Sequence, residues 1–209
     1  MAQIKNKGQG QLFDNPILEK LTKTNPYYML TVTGSFVALS FYLHFQYGVV
    51  ESFGWGLALF FAGALFWTLF EYLMHRYVFH FVNESEWSKK FHHVAHGIHH
   101  EYPRDAERLF MPPLPAIALA SFFLGVFYLL MGGYAYLFYP GFILGYVGYV
   151  SLHYAMHRFK PPKFMKAQWA HHALHHYKYP ERAYGVSTMI WDYVFRTMPP
   201  DPQNEKTEG

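Results

Sequence analysis

Long stretches without a charged residue dominate the hydrophobic pattern of this chain. No Asp, Glu, Lys or Arg occurs from 26 to 50, from 52 to 70, or from 109 to 152. A helix that crosses a lipid bilayer needs about 20 predominantly apolar residues. The first two stretches therefore predict one spanning helix each, and the third is long enough for two helices joined by a tight turn.

The turn inside the third stretch has two candidates, Gly132-Gly133 and Pro140-Gly141, and the pattern leaves both open. The sequence thus predicts an all-α integral membrane protein with four transmembrane helices, arranged as two hairpins under a helical cap. We expect a single domain over residues 1–209. Its predicted spans are residues 27–47, 53–74, 112–131 and 134–153. Its polar parts are the N-terminal segment 1–26 and the histidine-rich regions 75–110 and 153–209.

The distribution of positive charge predicts how these spans are oriented. With both hairpins entering from one side, the far loops lie near residues 45–54 and 131–141, and neither contains Lys or Arg. All 17 basic residues then fall on the near side, which the positive-inside rule assigns to the cytoplasm. We therefore predict a multi-pass membrane protein of the endoplasmic reticulum or a bacterial inner membrane, with its polar regions on the cytoplasmic face.

Composition excludes several classes of protein. The chain has no cysteine, so it has neither a disulfide nor a thiolate metal site. Its net charge of +3 includes no dense run of Lys or Arg, so nucleic acid is not a predicted partner. A soluble helical protein is disfavoured by the length of the uncharged stretches.

Histidine is the unusual component, with 14 residues, 13 of which lie in the two polar regions beside the predicted spans. Imidazole is the commonest metal ligand in proteins. Ten of these histidines fall into four regularly spaced groups. The groups are His75 and His80; His96, His99 and His100; His153 and His157; and His172, His175 and His176.

The spacing of these groups is typical of ligands on helices. Residues three or four apart lie on the same face of an α-helix, so three of the groups each present their imidazoles together. His75 and His80 are five apart, and they converge only if the helix ends or unwinds between them. Ten imidazoles are too many for one ion, which takes four to six ligands, and they predict a site for two ions.

The remaining histidines and nearby acids have less regular positions. His92, His93 and His171 are predicted to support the ligands rather than to bind metal, and His44 has no predicted metal role. Glu71, one turn before His75, is the favoured carboxylate for orienting an imidazole, and Asp192 is a further candidate. The role of Glu101, next to His100, stays open.

The sequence around these residues resembles the fatty acid hydroxylase/sterol desaturase superfamily. "HRYVFH", "HGIHH", "HYAMH" and "HHALHH" look like its histidine boxes. "DAERLFMPP" at 105–113 and "YGVSTMIWDYVFRTMP" at 184–199 are more similar to the fatty acid 2-hydroxylases, which hydroxylate the N-acyl chain of ceramides. The resemblance covers residues 66 to 199, which is most of the chain.

The resemblance implies a site and a chemistry. It implies that the ten spaced histidines bind two metal ions, with iron in the active enzyme, zinc often present in purified protein, and O2 as co-substrate. We further expect that the acyl tail of a lipid lies among the spans, beside Phe66, Phe70, Phe122 and Phe123, and that carbon 2, which lies at the depth of the histidines, is hydroxylated. Alternatives are a related oxygenase acting on a sterol, a carotenoid or another lipid, a membrane metal-binding or transport protein, and a soluble zinc hydrolase.

One departure from the family affects the predicted partners. Animal and fungal members carry an N-terminal cytochrome b5 domain, whereas only the polar segment 1–26 precedes the first predicted span here. We therefore expect electrons from a separate carrier, a b5-type cytochrome or a ferredoxin with its reductase. Five lysines could form a basic face that docks an acidic carrier or contacts lipid headgroups. They are Lys89, Lys90, Lys160, Lys163 and Lys166.

Overall fold

The computed structural model describes residues 4–200, which are helical with no β-strand. Residues 1–3 of the predicted N-terminal segment and 201–209 of the second histidine-rich region lie outside the described part. The α-helices are α1 (Pro16–Leu21), α2 (Pro26–Tyr47), α3 (Phe53–Met74), α4 (Glu86–His92), α5 (Ile98–Glu101), α6 (Pro113–Met131), α7 (Ala135–Arg158), α8 (Lys166–Tyr177) and α9 (Ile190–Val194). Two π-helical turns occur at His75–Phe79 and His93–Gly97.

The four long helices α2, α3, α6 and α7 lie at the four predicted spans, and α7 continues five residues beyond the predicted end at residue 153. By length and composition, three stretches of the described chain are long and apolar enough to cross a membrane, and the third, Ala106–Arg158, contains both α6 and α7. Between these two helices the chain turns at Gly132, whose φ of +58° is the left-handed conformation that favours glycine. Pro140-Gly141, the other candidate for the turn, lies inside α7.

The tightest packing joins α3 to α7. A Cβ atom on Gly63 would lie 2.0 Å from the carbonyl oxygen of Phe138, and one on Gly141 would lie 1.8 Å from that of Phe60. The two backbones therefore touch at this crossing, a contact that small residues allow between membrane helices. An aromatic core that includes Phe127, Tyr139 and Phe142 fills the space between α3, α6 and α7.

The N-terminal segment is folded against the polar regions. The buried Arg108 guanidinium donates to the carbonyl oxygen of Gly10 (2.9 Å) and to Thr22 Oγ1 (2.9 Å), and it forms an ion pair with Glu19. Lys5 forms an ion pair with Glu101 at 2.7 Å, so Glu101 fastens the N-terminal segment rather than an imidazole. These contacts place the N-terminal segment over the stretch that follows α5.

Candidate metal centre

The ten regularly spaced histidines gather into two groups of five. In each group one nitrogen of every ring lies within 4.8 Å of the others. Group one consists of His75, His80, His96, His100 and His175. Group two consists of His99, His153, His157, His172 and His176.

Histidines from one stretch of sequence are divided between the two groups according to their spacing along the helix. Residues four apart, such as His96 and His100 or His172 and His176, belong to the same group. The third histidine of each cluster, His99 or His175, belongs to the other group. Successive residues of a helix are rotated by about 100°. Relative to a given histidine, the residue three positions later therefore points to one side, and the residue four positions later points to the other side. One short helix therefore contributes to both groups.

The pair His75 and His80 is brought together by a π-helical turn. The backbone N–H of His80 donates to the carbonyl oxygen of His75 at 3.1 Å, five residues earlier, and the two ring centroids lie 4.9 Å apart. The helix after α3 thus widens rather than ends at this point. Such widened turns are frequent at functional sites.

The nitrogen atoms face one another at close range in both groups. In group one, the Nε2 atom of His96 lies 3.0 Å from that of His75 and 2.9 Å from that of His100. In group two, the Nε2 atoms of His153 and His157 are 3.1 Å apart, and His172 approaches His157 at 2.9 Å. If two nitrogen atoms bind one ion at right angles to each other, with bonds of about 2.1 Å, the two nitrogen atoms lie about 3.0 Å apart.

Hydrogen bonds show that lone pairs point into group one. The Nδ1 atom of His75 donates to the carbonyl oxygen of Tyr184 at 2.6 Å, and that of His175 donates to the carbonyl oxygen of Arg182 at 2.7 Å. In a neutral imidazole the other nitrogen then carries a lone pair. The Nε2 atoms of His80 and His175 are buried without a hydrogen-bond partner in the described chain, as are both ring nitrogens of His176 in group two. Buried, converging lone pairs of this kind fit a bound cation.

Burial keeps these imidazoles in the neutral form that binds metal. Burial, followed by the neighbouring imidazoles, lowers the pKa of His96, His99, His172 and His176 well below the ordinary 6.5. The same causes lower the pKa of His100 to about 3. A set of five neutral nitrogens suits iron, zinc, copper or nickel, so both groups have the chemistry of a transition-metal site.

Asp192 organises the loop of residues 178–189 between α8 and α9, which we call the C-terminal loop and which fixes His75 and His175. This fully buried carboxylate accepts hydrogen bonds from the N–H groups of Tyr184 (2.9 Å) and Gly185 (2.8 Å), from Thr197 Oγ1 (2.7 Å), and from His171 Nε2 (3.0 Å). Burial alone would raise the pKa of Asp192, but these hydrogen bonds, led by that from His171, lower it below its ordinary value. Asp192 therefore acts on His75 through the backbone of the loop.

Glu71 also holds this loop rather than an imidazole. Its buried carboxylate accepts from the N–H groups of Val186 (2.7 Å) and Ser187 (3.1 Å). From the other side, the side-chain amide of Gln168 in α8 donates to the carbonyl oxygen of Val186. The loop is thereby tied to both α3 and α8, the helices that lead to His75 and carry His175.

The other predicted supporting histidines have different surroundings. His171 is buried against Asp192, whereas His93 is exposed and lies in neither group. His92 is half-buried, and its Nδ1 atom donates to the carbonyl oxygen of Phe79. His44, in α2, is likewise in neither group.

The sequence did not reveal the carbonyl oxygens of Tyr184 and Arg182 or the amide of Gln168 as supports of the site. Backbone groups leave no residue-type signal. The nearest indication is the 184–199 stretch, which the resemblance marks without saying what it does.

Comparison with known proteins gives a family. Residues 60–197 match the family model described as "Fatty acid hydroxylase". The chain is 38% identical over 157 residues to "Fatty acid 2-hydroxylase" of Rattus norvegicus, covering 73% of this chain and 42% of the relative. It is 42% identical over 143 residues to "Ceramide very long chain fatty acid hydroxylase SCS7" of Saccharomyces cerevisiae, covering 66% and 37%. The chain spans about half the length of the curated relatives it matches.

A solved structure agrees with this result. The structure titled "Full length scs7p (only hydroxylase domain visible)" superposes with a TM-score of 0.79 at 35% identity, covering 93% of this chain and 74% of that one. On the family model, the relatives and this structure together, the chain belongs to the fatty acid hydroxylase family.

Proposed function

We propose that this protein is a membrane hydroxylase that uses O2 and two metal ions to place a hydroxyl group on carbon 2 of a fatty acyl chain. The observation that carries the proposal is the pair of five-imidazole groups, each with nitrogen atoms close enough to bind one ion. The ten histidines of these groups are its proposed ligands. Relatives named as fatty acid 2-hydroxylase and as ceramide or dihydroceramide hydroxylases support an acyl substrate, free or amide-linked in a sphingolipid.

The proposed setting is a bilayer crossed four times, by α2, α3, α6 and α7, with the whole chain forming one hydroxylase domain. The connections between α2 and α3 (residues 48–52) and between α6 and α7 (residues 132–134) contain no lysine or arginine, which supports a cytoplasmic position of the histidine groups by the positive-inside rule. The 24 residues of α7 rise by about 36 Å, against a hydrocarbon layer of about 30 Å. The final turns of α7, which carry His153 and His157, then lie at the edge of the hydrocarbon.

This depth supports carbon 2 as the point of attack. Carbon 2 neighbours the carbonyl group and therefore lies where the acyl chain meets the headgroup layer. A mid-chain carbon would have to bend back towards the histidines. Deeper in the bundle, Phe70 packs on Phe66 and Phe123, and Phe122 is exposed towards the surrounding lipid. We propose that this aromatic face lies beside the tail.

The chain's own residues hold, orient and shield the centre. The imidazoles supply neutral ligands, the carbonyl oxygens of Tyr184 and Arg182 fix two of the rings, and burial keeps bulk water from most of them. Iron, when bound, would allow O2 to be reduced by two electrons and two protons, which hydroxylation of a C–H bond requires. Zinc outcompetes ferrous iron at nitrogen ligands, so we expect zinc in protein purified without added iron.

The electrons are proposed to come from a separate one-electron carrier, a b5-type cytochrome or a ferredoxin with its reductase. The described residues contain no cysteine with which to build an iron–sulfur cluster. The carrier's identity is decided by reconstitution with each candidate.

The test is to load the protein with iron without oxygen, add a ceramide or fatty acid, and then admit O2 with a reductant. Mass spectrometry should show the gain of one oxygen atom, with fragmentation placing it at carbon 2. His153→Ala should give no product, whereas His93→Ala, which removes an exposed ring outside both groups, should retain activity. Hydroxylation at another carbon would refute the assignment of carbon 2, and no hydroxylation by iron-loaded protein would refute the function.

A further inference from the structure

The residues that follow α7 form an exposed surface of cations and phenylalanines. We call it the basic-aromatic edge: Arg158, Phe159, Lys160, Lys163, Phe164 and Lys166. Phe159 is 64% exposed and Phe164 is 88% exposed. Large aromatic side chains this exposed, set among cations, are typical of a surface that meets a partner.

The four cations of this edge are not neutralised by the protein. None of them forms an ion pair within residues 4–200. Lys89, another lysine of the predicted docking face, differs, because it lies 3.2 Å from Glu86 and 3.9 Å from Glu84. Of the five lysines of the predicted docking face, Lys89 is therefore paired, whereas Lys160, Lys163 and Lys166 after α7 form a cluster without an acidic partner in the described chain.

Two lysines of the edge lie at the N-terminal ends of helical elements, where a nearby anion is favourable. Lys163 and Lys166 are the first residues of the 3-10 turn and of the helix α8, and neither element has a side-chain cap. The helix dipole is positive at this end, so cations there are unfavourable unless an anion lies nearby. Charge complementarity therefore favours an anionic partner at this surface.

The depth of the edge indicates which anion that is. If α7 crosses the hydrocarbon from its first residue, Arg158 lies about 6 Å beyond it, and the headgroup layer is about 5–7 Å thick on each side. The Trp169 indole donates to the carbonyl oxygen of Phe159 at 3.2 Å, which keeps the segment beside α8. At this level phosphate groups surround the cations, and phenylalanine side chains reach the boundary with the acyl chains.

We propose that the basic-aromatic edge docks on anionic phospholipid headgroups of the leaflet that faces the histidine groups. This inference rests on the proposed membrane placement. Its consequence concerns the metal centre, because the edge joins His157 at the end of α7 to α8, which carries His172. Contact with the headgroups holds the edge at a fixed depth in the membrane, and it thereby fixes the depth of group two relative to the acyl chain. An acidic electron carrier is the competing occupant.

The absence of cysteine makes a site-specific test possible. A nitroxide is attached to Phe164→Cys, and its collisions with O2 and with a water-soluble nickel chelate are measured in nanodiscs of phosphatidylcholine, with and without phosphatidylserine. We expect phosphatidylserine to shield the label from nickel and to increase its access to O2. The same label at Leu144→Cys, on the exposed face of α7, reports the hydrocarbon, and at exposed Glu181→Cys it reports water.

A charge variant shows whether the cations cause the shift. The combined change Lys160→Glu, Lys163→Glu and Lys166→Glu should abolish the response to phosphatidylserine. The matched combination Lys7→Glu, Lys20→Glu and Lys90→Glu, which alters three exposed lysines elsewhere, should keep it.

The outcomes separate the inference from the membrane placement on which it rests. A Phe164→Cys label that stays open to nickel in phosphatidylserine, while the Leu144→Cys label lies in hydrocarbon, overturns the inference alone. A water-exposed label at Leu144→Cys overturns the placement as well. Shielding of the Phe164→Cys label only when an acidic one-electron carrier is added would assign the edge to that carrier, and would also overturn the inference.

Discussion

The two groups of histidines have the same number of ligands but unequal support from the protein around them. In group one, His75 and His175 each donate an Nδ1 hydrogen bond to a backbone carbonyl of the C-terminal loop. In group two, the buried Nδ1 atoms of His99, His172 and His176 have no hydrogen-bond partner within the described chain. The protein thus sets the ring orientations of group one more firmly than those of group two.

This difference indicates how the centre is assembled. Group two takes all its histidines from regular α-helices, α5, α7 and α8, whose spacing already aligns the rings. Group one includes the pair on the π-helical turn after α3, and it depends on a loop distant in sequence to hold that pair in place. Hydrogen bonds to ligating rings tune both orientation and metal affinity. We therefore expect group one, but not group two, to respond to changes in the C-terminal loop.

The largest effect should come from removing one ligand from each group. His75→Ala in group one and His172→Ala in group two should each abolish product, because the proposed hydroxylation uses both ions. Each should lower the metal content from two ions towards one per chain, measured by plasma mass spectrometry. The exposed His93 offers the matched control, and His93→Ala should keep both ions. Full activity in either ligand variant would remove that histidine from the site.

The next largest effect is expected from Asp192→Asn. The NH2 group of the asparagine would face an N–H or O–H group that now donates to the carboxylate. Two donors cannot pair, so the loop that holds His75 becomes looser. We expect a loss of about 10- to 100-fold in metal affinity at group one, measured by competition with a chelator. Asp14→Asn, at an exposed position, should change nothing. An equal loss at both groups would show that Asp192 acts through His171 and α8 as well.

A smaller change is predicted for Gly185→Ala in the same loop. The added Cβ would lie 2.1 Å from the carbonyl oxygen of Thr188 and 2.8 Å from Asp192 Oδ2, so the loop must shift. Overpacking of this kind costs about 1–3 kcal/mol, which thermal unfolding in detergent should detect. Gly148→Ala, where the Cβ would meet open space, is the control. Unchanged stability of the Gly185→Ala variant would mean that the loop adapts freely and does not fix the rings.

The smallest effect is expected from Tyr72→Phe, one step further from the histidines. The Tyr72 hydroxyl pairs with Thr197 Oγ1 at 2.8 Å, and Thr197 in turn donates to Asp192. Loss of this hydroxyl should cost about 0.5–1.5 kcal/mol of stability, since the ring still stacks on Phe195. Metal content should remain at two ions per chain. A loss of group-one metal comparable to that of Asp192→Asn would show that the network reaches further than we infer.

The uncharged stretches predicted the long helices because length and apolarity are properties of the residues themselves. The helix spacing likewise identified the ten histidines that the structure brings together. The division into two groups was not predictable, because it depends on how α5 and α8 are rotated against α7. The choice of Gly132 as the turn depends on its left-handed backbone, whereas Pro140 lies buried inside α7. The carbonyl supports at Arg182 and Tyr184 depend on backbone position, which residue type does not encode.

The central claim is that ten imidazoles bind two ions in two separate groups. Anomalous X-ray scattering from crystals of the purified protein, collected at the absorption edge of the bound metal, tests it most directly. The account predicts two peaks, one among His75, His80, His96, His100 and His175 and the other among His99, His153, His157, His172 and His176. A single peak shared by all ten rings, or density away from both groups, would contradict it.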